Sequence, residues 1–546
     1  MRKAALVLFI VAFVVFMLGC GSQSSVAPTT PNNPTPAGIP VSLTVTDTPA
    51  TGVTVLFFQL SITGATLSPG SVSLYPGLLL QNAYPAIPVN VTQLQTDSAF
   101  LGSTNVPAGT YTGLSLTFSP NTQLTIFNGS GAAIGSCANN TVCQLTPNPS
   151  NLSLTFSTAP FPVTVASNSP LALQLDIHLN TVIQPDLSVN LGATNGVTIS
   201  QLPPPPSGST VTALGNLTGT IQTVNGMECE TVTCASSDWL TLQTSDGRSF
   251  TIDVNSSTTY SYPSSVCPTS NFTCLATGQI VNVALSLQTD GTLLASQVNY
   301  VQPAGQTVVV GSIVSLTFPP TYPSGTAVMQ LIPQQGPPPP STASGLPALG
   351  QMVTVTVPLT GVTYAIDSGS FTLPNGLSFT QASNLMVGQE VSVVAVPESV
   401  ATTSGPSSST SIGGPVAATF TASSITLEPS QITGSVSGFT PINSSALIFT
   451  LSTYPNYFVP PSVTAGAPPI PAGINLTVQA TSATTFTNLT PDNISGLAVG
   501  DVISIEGWLF PYAAVPQYCL AGWGCAPPGV IAAETVVGRP GATPLF

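Results

Sequence analysis

The sequence contains very few charged residues, and positive charge is the scarcest of all. Its 546 residues include 4 Lys or Arg, 18 Asp or Glu and 1 His, so that charged residues make up 4% of the chain. Globular proteins usually contain about 25%. Nucleic-acid binding needs a Lys- and Arg-rich surface that neutralises phosphates, so this composition excludes nucleic acid as a partner. It also excludes coiled coils and helical bundles, which are rich in Ala, Glu, Lys, Leu and Arg.

The residues that are abundant favour β-structure. Hydrophobic residues make up 42% of the chain, and 54 Pro and 47 Gly divide it into short runs. Within these runs apolar and polar residues alternate, as in V-S-L-T-V-T from Val41 and L-S-L-T-F from Leu114. This period of two is typical of half-buried strands. The sequence therefore predicts an all-β chain of several domains.

The first twenty residues have the features of an export signal. Arg2 and Lys3 precede an apolar run from Ala4 to Leu18, and Gly19-Cys20 follows. This pattern resembles a bacterial lipoprotein signal peptide, residues 1–19, with its lipobox. The resemblance implies acylation of Cys20, with palmitate among the acyl chains, and outer-membrane sorting, because Gly21 rather than Asp follows the cysteine. A transmembrane anchor is the alternative, but a span needs about 20 apolar residues.

Residues 20–40 form a Ser-, Thr- and Pro-rich segment, which predicts an extended tether. The other eight cysteines occur in four close pairs, and export to an oxidising compartment favours a disulfide within each pair. A zinc site with four cysteine ligands, built from the second and third pairs, is the alternative, although its spacings are wider than usual. The predicted disulfides join Cys137 to Cys143, Cys229 to Cys234, Cys267 to Cys274 and Cys519 to Cys525.

Two motifs characterise the segment 41–202. Val41-Ser42-Leu43-Thr44 is followed by Asp47-Thr48-Pro49, and Val106-Pro107-Ala108-Gly109-Thr110-Tyr111-Thr112 lies in the middle of the segment. Together they resemble an uncharacterised family of lipoprotein domains whose members open with V-x-L-T-D-x-P and carry L-P-A-G-T-Y-T. The resemblance implies a β-sandwich-like fold and supplies no known activity.

Four prolines from Pro203 open a predicted linker, 203–214, and the remaining chain repeats itself. Each repeat opens with Gly-[Thr/Ser]-[Ile/Val] and later carries L-x-x-G-[Gln/Asp], with about 110 residues between successive copies of the second motif. These segments resemble a second uncharacterised family, of small β-barrel modules. We therefore expect three tandem antiparallel β-barrels after the sandwich, at residues 215–303, 304–429 and 430–546.

The single histidine, His178, lies in L-A-L-Q-L-D-I-H. Strand alternation places it beside Asp176 on the polar face of a strand, opposite the leucines. A Ser-His-Asp site would also need a nucleophile, and the sequence has no G-x-S-x-G elbow. A solvated strand face is the simpler interpretation.

Aromatic residues concentrate near the C-terminus, beside Cys519 and Cys525. Aromatic side chains on a loop held by a disulfide suit sugar or protein recognition, whereas hydrophobic cover of the last barrel explains them equally well. The candidate ligand loop comprises Trp508, Phe510, Tyr512, Tyr518 and Trp523.

These features predict a lipid-anchored, non-enzymatic lipoprotein of the cell envelope that acts as an interaction or surface-structural module. We expect no cofactor, no metal and no catalytic residue. The expected partners are the membrane, through the acyl chains at Cys20, and an envelope protein or glycan. The alternative is a carbohydrate-binding protein or degenerate glycan-active enzyme, because paired carboxylates could lie close together in the fold.

Overall fold

The computed structural model describes most of the chain beyond the tether, and this part is almost entirely β-structure. Four successive groups of strands are present, so the predicted all-β class, with a sandwich followed by tandem barrels, is confirmed. The described residues are 39–48, 54–74, 87–92, 94–96, 98–128, 132–139, 141–166, 171–202, 210–225, 238–244, 248–263, 266–302, 307–320, 324–335, 349–369, 371–397, 419–443, 446–454, 475–511 and 529–539.

The first group of strands forms the sandwich. Its strands are β1 (Ile39–Thr48), β2 (Thr54–Ser68), β3 (Val72–Ser73), β4 (Ile87–Asn90), β5 (Ala99–Val106), β6 (Gly109–Tyr111), β7 (Gly113–Phe118), β8 (Gln123–Asn128), β9 (Thr141–Leu145), β10 (Ser153–Phe156), β11 (Val163–Val165), β12 (Leu171–His178) and β13 (Val197–Gln201), with a short helix α1 (Leu179–Val182). One sheet has the order β13-β12-β1-β5. The other has the order β10-β7-β2-β8-β9, with β3 and β4 also paired to β2.

The inward-facing residues of the two sheets form one core. Leu43 and Leu173 come from the first sheet, and Phe58 and Leu116 from the second. The alternation in the sequence is therefore the physical origin of this sandwich. In the P-A-G-T-Y element, the buried Tyr111 hydroxyl donates to the Pro107 carbonyl at 3.0 Å, which fixes the corner between β5 and β6.

Three barrels follow in the chain. The first contains β14 (Thr210–Asn225), β15 (Asp238–Gln243), β16 (Ser249–Val254), β17 (Thr259–Ser261), β18 (Ile280–Gln288) and β19 (Leu293–Gln302). The second contains β20 (Thr307–Thr317), β21 (Thr326–Gln335), β22 (Val353–Pro358), β23 (Thr363–Ile366), β24 (Glu390–Pro397) and β25 (Thr419–Glu428). The third contains β26 (Ser430–Asn443), β27 (Ala446–Tyr454), β28 (Asn475–Thr487), β29 (Val502–Pro511) and β30 (Gly529–Gly538). A 3-10 helix precedes β18, β24 and β29, respectively: Phe272–Cys274, Ala382–Asn384 and Ile494–Gly496.

The three barrels share one strand order. The first runs β16-β15-β14-β18-β19 and closes through a β16–β19 pairing, and the second repeats this with β22-β21-β20-β24-β25. In the third, the single long strand β28 replaces the two short strands of the other barrels, and the closed path is β26-β27-β28-β30-β29. If the two short strands of the first and second barrels are counted together as strand 3, the strand order in every barrel is 1-2-3-5-4-1. This is the arrangement of the OB-fold, a five-stranded Greek-key barrel.

The two repeated motifs of the sequence meet in each barrel. The glycine of L-x-x-G has a positive φ, for example +94° at Gly500, and its N–H donates to the first barrel strand. The Gln or Asp that follows accepts a hydrogen bond from a backbone N–H three residues earlier, which closes the turn. The glycine bonds are Gly278 to Ile221, Gly388 to Ile313 and Gly500 to Val436, each at 2.8 Å.

Two predicted boundaries differ from the structure. Strand β14 begins at Thr210, inside the segment 203–214 that was predicted to be a linker. Strand β1 begins at Ile39, inside the predicted tether 20–40. In both places the prediction placed the start of the strand too late, because proline was read as a strand breaker. Proline lacks an N–H donor but is tolerated at the first residues of a strand.

Candidate functional site

All four groups of strands contribute to a cavity of about 130 Å³ among the described residues. A single water molecule needs only about 10–15 Å³ by the same kind of measure, so the cavity can hold a small molecule. Gln59 and Phe100 line it from the sandwich, Leu214 from the first barrel, Glu390 from the second and Glu506 from the third. The cavity therefore depends on how the four units pack.

One stretch of the sandwich, residues 87–100, holds this arrangement together. The amide of Asn90 donates to Gln334 Oε1 in the second barrel at 2.9 Å. The backbone N–H of Gln95 donates to Gln431 Oε1 in the third barrel at 2.8 Å. The carbonyl of Ser98 accepts from the N–H of Gly215 in the first barrel at 3.1 Å. This stretch consequently contacts all three barrels and forms one wall of the cavity.

A row of polar side chains crosses the outer face of the second barrel and reaches the cavity. Ser312, Glu390 and Glu428 are cross-strand neighbours on β20, β24 and β25. The Ser312 hydroxyl donates to Glu390 Oε2 at 2.7 Å, and the Glu390 N–H donates to Ser430 Oγ at 2.9 Å. Their neighbours Val391 and Leu427 point into the barrel core, so strand alternation directs the two glutamates outward.

Glu428 occupies an unusual electrostatic position. Its side chain is 6% exposed, and it stands directly opposite the 5% exposed Glu390. Burial raises the pKa of Glu428 well above its ordinary value, and the negative charges of Asp367 and Glu390 raise it further. Like charges at opposite positions of paired strands repel, so the proton is held more tightly on Glu428 than on a solvated glutamate.

Two further charged groups line the cavity. The guanidinium of Arg248 lies 4.9 Å from the centre of the Phe250 ring, and its Nη1 donates to the Phe100 carbonyl at 3.4 Å. Glu506 Oε2 accepts from the Thr96 hydroxyl at 3.3 Å. Arg248 is the one cation among the described lining residues, against three glutamates. The cavity therefore favours ligands that carry positive charge or hydrogen-bond donors.

The structure corrects the candidate ligand loop in part. Trp508 is 1% exposed and stacks on Phe371 of the second barrel with ring centres 5.1 Å apart. Its indole N–H donates to the Asp367 carbonyl at 2.9 Å, and Phe510 is buried in the same cluster. Both residues join the second barrel to the third and have no surface to offer a ligand. The other three residues, Tyr512, Tyr518 and Trp523, lie outside the described residues.

Two of the predicted disulfides are present. Cys137 bonds Cys143 and Cys267 bonds Cys274, as the close spacing predicted. The second bond also removes the alternative zinc site with four cysteine ligands, because two of its thiolates are bonded to each other. The predicted lipidation site and the other two predicted disulfides lie outside the described residues, namely Cys20, Cys229 with Cys234, and Cys519 with Cys525.

His178 lies where strand alternation predicted, on the half-exposed polar face of β12. Its Nε2 is 3.6 Å from Asp176 Oδ2 and 3.3 Å from Thr198 Oγ1. In a catalytic triad the carboxylate and the nucleophile contact opposite ring nitrogens. Here both contacts involve the same nitrogen, so this group is not arranged for proton relay.

The cavity residues are not among those predicted from the sequence. A signal existed, because Glu390 precedes the apolar run V-S-V-V-A-V and Glu428 ends the run S-I-T-L-E. Glutamate is almost never fully buried unless it is paired, so an acid within an apolar strand of a charge-poor chain indicates a special environment. The lining residues that the sandwich contributes, such as Gln59 and Phe100, stand out by no comparable pattern in the sequence.

Two further features were sought in all the described residues, a metal site and a membrane-spanning helix. They include no group of three or more His, Cys, Asp or Glu side chains placed to hold a metal ion. No helix among them combines the length and apolar character needed to cross a membrane.

Comparison with known families identifies two stretches. Residues 40–195 match the model of a Domain of unknown function (DUF4382), which coincides with the sandwich. Residues 218–299 match that of a Domain of unknown function (DUF5666), which coincides with the first barrel. The expected presence of two uncharacterised domain types in this order is confirmed. No curated protein matches the chain.

Proposed function

We propose that the protein is a lipid-anchored, non-enzymatic lipoprotein of the outer membrane that acts by binding, with the shared cavity as its ligand site. The cavity carries this proposal, because the sandwich and all three barrels contribute polar side chains to it. A surface-structural protein would gain nothing from buried glutamates at such a junction, since burying an ionisable side chain costs free energy.

The anchor is supported by the lipobox ending at Cys20. Cells expressing the wild type are expected to incorporate labelled palmitate into the protein and to retain it in the outer-membrane fraction. Cys20→Ser should abolish both. Labelled Cys20→Ser protein, or wild type recovered in the soluble fraction, would contradict the anchor.

The binding role is tested on the acylated protein isolated from its own envelope. Asn216 lies exposed at the rim of the cavity, so Asn216→Trp should obstruct the entrance, whereas Asn216→Ala should leave it open. Native mass spectrometry should show a bound small molecule, or a stoichiometric protein partner, with wild type and Asn216→Ala. Equal occupancy in the tryptophan variant would exclude the cavity as the site.

A carbohydrate ligand is the second candidate. The cavity combines amide side chains, such as Asn216 and Asn282, with the rings of Phe100 and Phe250. Amides and aromatic rings together suit hydroxyl-rich ligands. Glycan-array binding that Asn216→Trp abolishes would favour this candidate, and the absence of any glycan signal would count against it.

The second and third barrels are further proposed to be diverged copies of the first. Their common strand order and equivalent glycine hydrogen bonds support this. Replacing Leu385–Gln389 with the sequence of Leu275–Gln279 should leave the folded circular-dichroism spectrum unchanged. Loss of the folded spectrum would contradict equivalence of the two turns.

A further inference from the structure

The cavity contains a buried carboxyl group that lacks a partner. Glu428 is 6% exposed and lines the cavity, and none of the hydrogen bonds among the described residues reaches its carboxyl oxygens. Buried polar side chains in folded proteins are nearly always hydrogen-bonded, and exceptions call for an explanation. The neighbouring Glu390 accepts from Ser312 through its Oε2.

The charged groups around Glu428 decide what could complete it. Glu390 lies opposite it on β24, and Asp367, just after β23, is close enough to raise its pKa. Glu506 of β29 and Arg248, just before β16, line the same cavity. The acids outnumber the cation, so an anionic ligand would be repelled.

The remaining lining is largely apolar. Phe100, Leu214, Leu217 and Leu285 line the same cavity as the glutamates. An ion with a full hydration shell would leave these surfaces unused, and the acids of the described residues are not grouped in threes at positions that could hold a metal ion. A ligand with one cationic end and an apolar body matches both parts of the lining.

We propose, building on the binding function above, that the cavity is a site for a small organic ammonium ion. Its charged nitrogen lies against Glu428 and Glu390, and its hydrocarbon part lies against Phe100 and the leucines. The cavity of about 130 Å³ limits the ligand to a compact amine.

This site has a characteristic proton linkage. In the empty cavity, burial and the surrounding acids raise the pKa of Glu428 and so favour its protonated form. An ammonium ion pairs with the ionised form, and binding therefore releases a proton. Affinity should rise with pH, by up to about tenfold per unit while the empty site remains protonated. A neutral sugar would show neither effect.

The test is calorimetric titration of the full chain with cyclohexylammonium chloride between pH 5 and 8, where the amine stays charged. Cyclohexanol, sodium cyclohexanecarboxylate, N-acetylglucosamine and calcium chloride serve as the other probes. We expect one saturable site for cyclohexylammonium, tighter binding at higher pH, and proton release when buffers of different ionisation enthalpy are compared. The other four probes should bind at least tenfold more weakly.

Glu428→Gln should weaken cyclohexylammonium binding at least tenfold and abolish the proton release. Asp186→Asn is the matched control, since it removes the same charge from an exposed loop of the sandwich and should leave affinity within twofold. Circular dichroism confirms that both variants are folded.

Equal binding by Glu428→Gln, or equal binding of cyclohexanol, would overturn the ammonium site. Binding of N-acetylglucosamine that Asn216→Trp blocks would also overturn it, while leaving the cavity as a ligand site. Failure of every probe, together with no bound mass in the isolated protein, would count against both proposals. Calcium binding that depends on Glu428 would replace the amine with a metal.

Discussion

The buried glutamate pair makes stability depend on pH in an unusual direction. In Glu428→Gln the side chain keeps its shape but can no longer ionise, so the repulsion from Glu390 and the cost of burying a charge both disappear. We expect this substitution to stabilise the protein at neutral pH. Most substitutions of buried residues destabilise, so the sign alone is informative.

The magnitude follows from the raised pKa. Below its ordinary value of 4.5, Glu428 is protonated in both the folded and the unfolded chain, and it causes no loss of stability. As the pH rises above that value, the unfolded chain releases this proton while the folded chain keeps it. The free energy of unfolding therefore falls by up to about 1.4 kcal/mol per pH unit, until the folded carboxyl ionises as well.

Urea unfolding at pH 4, 5.5 and 7, followed by tryptophan fluorescence, measures this effect. Glu428→Gln should match the wild type at pH 4 and exceed it at pH 5.5 and at pH 7, by at most about 1.4 kcal/mol for each pH unit above 4.5. Asp186→Asn should show no such gain, because hydrogen bonds from Ser188 lower the pKa of the exposed Asp186 and its stabilisation is lost as pH falls. A glutamine variant that follows the wild type at all three pH values would refute the buried, protonated state.

Three other predictions concern packing and covalent links. Replacing Cys137 and Cys143 together with serine should cost about 2 kcal/mol in urea unfolding, since the bridge closes a short loop; an unchanged midpoint would show that the bridge is dispensable. Gly434→Ala should lower the melting temperature more than Gly500→Ala, because its Cβ would collide with the Ser452 carbonyl oxygen of β27, whereas at Gly500 the cost is the positive φ alone, about 1–2 kcal/mol; the reverse order would contradict the close approach. Trp508→Ala should cost about 3–5 kcal/mol and Trp508→Phe about 1 kcal/mol for the lost indole hydrogen bond; equal losses would mean that the ring stacking contributes little.

The alternation of apolar and polar residues along the sequence predicted the strands, because a strand at a sheet surface buries every second residue. The leucines of β12 face the sandwich core and leave Asp176 and His178 on the outer face, as the period of two requires. The repeated glycine motifs were visible in the sequence because a positive φ or a close backbone approach admits few other residues. Short spacing also identified the two disulfides that the structure describes.

The aromatic segment shows where local reasoning could not choose between two alternatives, ligand contact and hydrophobic cover. Trp508 was a candidate for ligand contact, yet it is the anchor between two barrels. An aromatic residue on the outer face of a barrel has the same local pattern whether it meets a ligand or a neighbouring domain.

The sequence by itself determined the β-class, the order of sandwich and barrels, the turns and the two described disulfides, because each depends on residues that are neighbours along the chain or across one hairpin. Only the tertiary structure decided the cavity. Asn90 and Gln334, 244 residues apart, meet there beside Glu390 and Glu428. The packing of four units sets the distances between their outer faces, and no periodicity within a single strand encodes those distances.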